Sequence, residues 1–263
     1  MFERLRGYCI NDTLQRREYI LDTLRSLNIE PICQKFSYDN IEIMNIFAKI
    51  GKEHPISAFS AHYDKVPEGD GALDNGAAVI EVLTTLETML KTGYNKPFGF
   101  MFFDGEEQGS VGSKRYIQDQ ILHVPKIYNI DVAGRGNAVA IGDASMISEW
   151  FEYRPNSQEL NKITEQTCEQ IGIPYFHVRT GPSDNYVLNN ANIDPVTRTK
   201  IQSTIIMTIP NNLGEYWQQR GKITQGIYKR LFINGVEDKI ERVQPETLQM
   251  MTKLLLQIAE NTN

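Results

Sequence analysis

The sequence predicts an α/β fold: a single domain over residues 1–263, built on a mixed, mostly parallel β-sheet flanked by helices on both faces. Three observations carry this. Short apolar runs alternate with amphipathic helical segments along the chain, the pattern of a sheet sandwiched between helices. Phe98–Phe103 is almost continuously apolar, as expected of a strand covered on both sides. Several of the apolar runs end in a His or an acid, at the strand ends where such sheets hold their ligands.

Taken in order, residues 12–28 predict a helix. Leu14, Ile20, Leu21, Leu24 and Leu27 recur near helical spacing after the capping residues Asn11, Asp12 and Thr13. Strands follow over about 31–37 and 41–50, split by Asp39-Asn40. Residues 56–61 form a short apolar run that ends at His62. Residues 76–92 predict an amphipathic helix with Val79, Val82, Leu83, Leu86, Met89 and Leu90 on one side. After the strand at 98–103 come a helix over 110–120 and a buried strand over 127–130. A strand over 137–142, a helix over 157–171 and a strand over 173–178 continue the alternation. Asn211-Asn212-Leu213-Gly214 reads as a loop. The last helix starts near Pro245, a favourable first-turn residue, and turns Leu248, Met251, Leu254, Leu255 and Ile258 inward.

Composition narrows the function classes. Hydrophobic residues make up 41% of the 263, enough for a sizeable core, yet no run approaches the roughly 18 apolar residues of a membrane span. A net charge of −6 with scattered Lys and Arg lacks the basic face that nucleic acid requires. The polar start has no apolar leader segment, and Cys9, Cys33 and Cys168 are odd in number and far apart. A cytoplasmic protein with buried reduced thiols is therefore expected, with neither nucleic acid nor membrane as partner.

The chemistry-bearing residues lie at strand ends. His62 can offer a ring nitrogen to a metal and Asp64 can orient it; a surface His beside a turn is the plainer reading. Asp74, just before a helix, is either an N-cap or a carboxylate able to bridge two cations. Glu106 and Glu107 are adjacent acids that repel each other unless a cation or solvent compensates. One can bind metal while the other faces an attacking water. Asp131 ends its own apolar strand, as a turn acid or a ligand. Each is ambiguous alone, but four such sites at consecutive strand ends point to metal-assisted hydrolysis.

Together, Ser60-Ala61-His62-Tyr63-Asp64, Gly71-Ala72-Leu73-Asp74-Asn75-Gly76, Phe103-Asp104-Gly105-Glu106-Glu107 with Gly112-Ser113, and Ile130-Asp131 resemble the ordered motifs of zinc aminopeptidases of peptidase family M28. The resemblance covers roughly residues 15–145 and, more loosely, the chain end. It implies a metal-dependent hydrolase acting on short peptides or on N-acyl or aminoacyl amides. Asp74 would bridge two zinc ions, one completed by His62 and Asp131, the other by Glu107 and a late His. Glu106 would be the general base and Asp64 the orienting acid. Asn234 stands where the family has that late His, and an amide oxygen is a weak zinc ligand. One Zn2+ is expected, with a second position open to Zn2+, Mn2+ or Co2+. In Ser183-Asp184-Asn185-Tyr186, matching a Ser-Asp-His motif, Asn185 again replaces His and Asp184 is the implied substrate-side residue. His177 is a substitute ligand or a satisfied strand His, while His54 and His123 read as loop residues. Tyr216 and Trp217 line a pocket or cover core, and Arg179 and Arg198 meet a substrate carboxylate or solvent. Glutaminyl-cyclase-like acyl transfer and a non-catalytic peptide binder are the alternatives.

Overall fold

The computed structural model describes residues 1–9, 12–119, 121–146, 152–189 and 200–262. Its strands are β1 (Ile32–Tyr38), β2 (Ile41–Ile50), β3 (Ser57–His62), β4 (Phe98–Phe103), β5 (Lys126–Ile130), β6 (Ala138–Met146), β7 (Tyr153–Pro155), β8 (Tyr175–Thr180) and β9 (Gln202–Ile209). They join in one sheet of order β1-β2-β4-β3-β5-β9-β6-β7, with β8 also paired to β6. The centre, β4-β3-β5-β9, is parallel. The β1-β2-β4 side is antiparallel, and β6 turns back antiparallel against β9. This is the mixed α/β sheet that the apolar runs predict.

Helices cover both faces. α1 (Phe2–Cys9), α2 (Thr13–Ser26), α3 (Ala77–Lys91), α5 (Gln158–Ile171) and α9 (Pro245–Thr262) pack against the largest apolar cluster. α4 (Val111–Asp119) and α6 (Asp184–Asn189) enclose a second, around Phe47, Met101, Phe103 and Tyr116. α7 (Asn211–Arg220) and α8 (Gln225–Leu231) bury Leu213, Trp217, Ile227 and Leu231 over β6, β8 and β9. Among the described residues no helix is long and apolar enough to cross a membrane.

Helix α2 begins with a capping box: Asp12 Oδ1 accepts the Gln15 N–H at 2.9 Å and Gln15 Oε1 accepts the Asp12 N–H at 3.1 Å. Its buried face differs from the predicted one. Leu14 is 60% exposed, whereas Arg16 and Arg17 are buried with Ile20, Leu21 and Leu24. Arg17 is drawn in by Asp104 at 3.1 Å and by the Tyr63 hydroxyl. Arg16 gives its hydrogen bonds to the carbonyls of Tyr63, Asp70 and Gly71.

Residues 211–214 are the first turn of α7 and not a loop. Pro210 is extended at the N-cap, and Gly214 sits where any β-carbon would strike the Phe176 ring on β8. Close packing over the sheet therefore overrides the weak helix propensity of Asn and Gly.

Candidate active site

In β3, Ser60 pairs with Asn129 of β5, so His62 and Asp131 leave the sheet side by side two residues later. His62 also pairs with Phe103, the last residue of β4, which brings the Asp104–Glu107 turn to the same edge. Gly112, at the start of α4, lies so close to the Asp104 carbonyl that a β-carbon there would collide with it.

Asp74 comes from the turn at Ala72–Gly76. That turn is held by Asp238, whose Oδ1 accepts the N–H groups of Ala72 at 2.9 Å and Leu73 at 2.7 Å while its Oδ2 accepts that of Asp74 at 3.1 Å. Burial pushes Asp238 up to about 7 although those N–H groups pull it down. Arg16 fixes the chain just before the turn, and Gly71 enters it with φ of 56°, a left-handed conformation that glycine adopts without steric cost.

Three side chains then converge. His62 Nε2 lies 3.0 Å from Asp74 Oδ1 and 3.4 Å from Asp131 Oδ1. The three donor atoms fall within 4.8 Å of one another, and all three residues are buried. Asp131 Oδ1 has no hydrogen-bond partner among the described residues, a costly state for a buried carboxylate oxygen unless a cation meets it. One nitrogen and two carboxylate oxygens at this spacing fit the three-ligand pattern of a catalytic zinc, with bonds of about 2.0–2.2 Å and a fourth position open.

Asp64 approaches His62 Nδ1 at 3.3 Å. Its two oxygens accept the backbone N–H groups of Glu106 and Glu107, both at 3.1 Å, so it ties the end of β3 to the turn after β4. Outer-shell partners of this kind are worth about 10–100-fold in metal affinity. Asp64→Asn is accordingly expected to weaken zinc binding by about that factor, measured by competition with a chromogenic chelator; an unchanged affinity would show that Asp64 does not orient His62.

The electrostatics are those of a negative pit around one imidazole. Burial disfavours charge on His62, but the carboxylates of Asp131, Asp64 and Asp74 around the ring outweigh it and hold it well above its usual range. Asp131 is also opposed by burial and ends below its usual value, chiefly through His62. Burial raises Asp74 and lifts Glu106 far above the ordinary carboxylate range. It pushes Glu107 up to about 8, with Asp74 adding to the effect, and Asp184 up to about 7. Crowded acids of this kind are relieved by a divalent cation.

Glu106 joins Asp74 and Asp131 at the polar end of a cavity of about 430 Å3, whose wall includes Val132, Ile205, Met207, Trp217 and Leu231. Trp217 thus both lines the pocket and covers core, its indole N–H donating to the Arg179 carbonyl at 3.2 Å. Tyr216 instead lies under the guanidinium groups of Arg220 and Arg230, and Arg179 sits over the Tyr153 ring; neither is among the cavity-lining residues. Arg198 lies outside the described residues.

Asp184 is buried and accepts the Ser113 hydroxyl at 2.6 Å; the cavity wall does not include it. Asn185 turns into a polar network, donating to Ser145 at 2.8 Å and Asn156 at 3.0 Å. His177 pairs with Asp143 at 2.7 Å and is not in the metal-binding group. Glu107 faces Asn234. With the amide oriented to satisfy both groups, Asn234 donates to both Glu107 oxygens at 2.9 Å and accepts the Tyr228 hydroxyl at 2.9 Å.

Not foreseen from the sequence was a chain of hydrogen bonds under the ligands. Ser60 donates to Asn129 at 2.8 Å, Asn129 to Ser183 at 2.9 Å, and Ser183 to Asp131 Oδ2 at 2.5 Å. The signal was there: Ser60 and Asn129 are polar residues two positions before His62 and Asp131 inside otherwise apolar strands.

The model of peptidase family M28 matches residues 45–259, and the chain belongs to that family. Leucine aminopeptidase 2 of Trichophyton rubrum is 29% identical over 157 residues, covering 56% of this chain and 31% of that protein. A vacuolar membrane protease of Saccharomyces cerevisiae is 30% identical over 122 residues, 45% of this chain and 12% of the protease. The chain therefore spans less than a third of the length of these relatives. Among solved structures, a glutaminyl cyclase of Bacteroides thetaiotaomicron superposes with a TM-score of 0.72 at 15% identity, over 98% of this chain and 95% of the other. A zinc aminopeptidase from Bacillus subtilis gives 0.63 at 20% identity, over 86% and 51%. At such identities the likeness is one of fold.

Proposed function

We propose that the chain is a zinc-dependent aminopeptidase that removes apolar residues from the free amino end of short peptides. The observation that carries this is the His62–Asp74–Asp131 cluster, with Glu106 beside it, at the polar end of an apolar cavity. His62, Asp74 and Asp131 would hold the metal, which supplies Lewis acidity at the scissile carbonyl and a lowered pKa of water. Glu106 takes a proton from the attacking water and returns it to the leaving amine. Asp64 orients His62, and Ser183 holds Asp131 by its second oxygen. The apolar wall receives the substrate side chain, while the acids that line the cavity with it draw in the substrate ammonium. Three free cysteines support a reducing compartment such as the cytoplasm.

The test is a panel of aminoacyl amides with added Zn2+, Mn2+ or Co2+. Leu, Met and Phe amides are expected to turn over faster than Asp or Lys amides. N-acetylated versions should be inert, and a chelator should abolish the rate. No turnover with any metal would leave a binding role. Acyl transfer of the glutaminyl-cyclase kind is the second reading, on a scaffold whose fold is shared over the full length; it would appear as loss of ammonia from a peptide beginning with Gln.

A further inference from the structure

We infer that this chain binds one zinc ion and that hydrogen bonds close the second metal position of its family. The inference rests on the reading of His62, Asp74 and Asp131 as a metal site. That second position would draw on Asp74, Glu107 and Asn234, a set with no imidazole and no thiolate. An amide oxygen with two carboxylates suits harder ions better than zinc.

The geometry around Asn234 goes further than the donor set. With the amide oriented to satisfy both neighbours, its nitrogen stands 2.9 Å from both Glu107 oxygens and its oxygen 2.9 Å from the Tyr228 hydroxyl. These are N–H···O and O–H···O distances. Turning the amide over would set its oxygen against two carboxylate oxygens, a contact that only a proton or a cation between them relieves. The ionised Glu107 carboxylate, which only accepts, favours the orientation in which Asn234 is its donor; the Tyr228 hydroxyl, on α8, then donates to the amide oxygen, and the face of Glu107 that a second cation would use is met by an N–H donor. Glu107 is in this chain a hydrogen-bonded acid beside the site and not a ligand.

Metal stoichiometry of the purified chain tests this without reference to turnover. Apoprotein titrated calorimetrically with zinc, with elemental analysis after dialysis, is expected to take up one equivalent. Asn234→His is expected to take up two, because the imidazole restores a nitrogen ligand and releases Glu107. Glu107→Gln is expected to keep the single equivalent, with its dissociation constant changed by no more than the about 10–100-fold of an outer-shell change. Thermal melts of both variants verify folding. Two tight equivalents in the unmodified chain, or loss of the single equivalent in folded Glu107→Gln, overturns the inference while leaving the hydrolase reading intact. No zinc at all in the unmodified chain overturns both.

Discussion

Glu106→Gln is expected to lower kcat by about 10^2–10^4-fold, the range for removing a positioned general base, with KM and zinc content little changed. Glutamine keeps the size of the side chain but cannot take a proton from water. The backbone of Glu106 is held independently of its carboxyl, because its N–H donates to Asp64. The turn that carries it is braced by the Gly112 contact with the Asp104 carbonyl. Loss of rate with the metal retained therefore isolates the proton-transfer role from metal binding. The comparison that matters is with Asp64→Asn, where zinc affinity itself falls. If purified Glu106→Gln keeps the parental rate on aminoacyl amides, Glu106 is not the base.

Most of the candidate site residues were legible because they are announced locally. An apolar strand stops and an acid or a His follows, as at His62, Glu106 and Asp131, and parallel pairing of β3, β4 and β5 then sets those ends side by side. What supports them was not legible. Asp238 acts on the backbone N–H groups of a turn 164–166 positions away, and backbone donors leave no mark on the side-chain pattern. Arg16 and Arg17 carry no pattern that marks them as buried, yet carbonyls and Asp104 draw them into the interior. Leu14, apolar and helical in spacing, points outward in their place. Asn234 was visible as a departure from the family pattern, but only its position between Glu107 and Tyr228 shows which groups it engages. α7 escaped a local reading for a related reason. Asn211, Asn212 and Gly214 are poor helix formers, and it is the fit of Gly214 against Phe176 and the burial of Trp217 that make that segment helical.

The second large effect is on stability and lies away from the site. Glu81 is fully buried within α3, which packs on α9 and β3. Neither of its carboxyl oxygens has a hydrogen-bond partner among the described residues. Burial alone lifts its pKa far above the ordinary 4.5. Below that unfolded value both states hold the proton and pH has no effect. As pH rises past it, the unfolded chain releases the proton while the folded chain retains it, so the fold loses stability up to the raised folded pKa. Glu81→Leu removes both this loss and the unsatisfied polar group. Freedom from an unpartnered buried polar group is worth about 1–3 kcal/mol. The gain over the parent then grows by up to about 1.4 kcal/mol per pH unit in that window. At about 2–4 °C per kcal/mol for a chain near this size, melting at pH 8 should rise by several degrees, and by more than at pH 5. Glu81→Gln separates the two contributions: it removes the pH dependence but keeps an unpartnered amide, so its gain should be confined to the higher pH. A parent and a Glu81→Leu variant that melt together at both pH values would mean that the carboxyl has a partner in solution, such as a buried water.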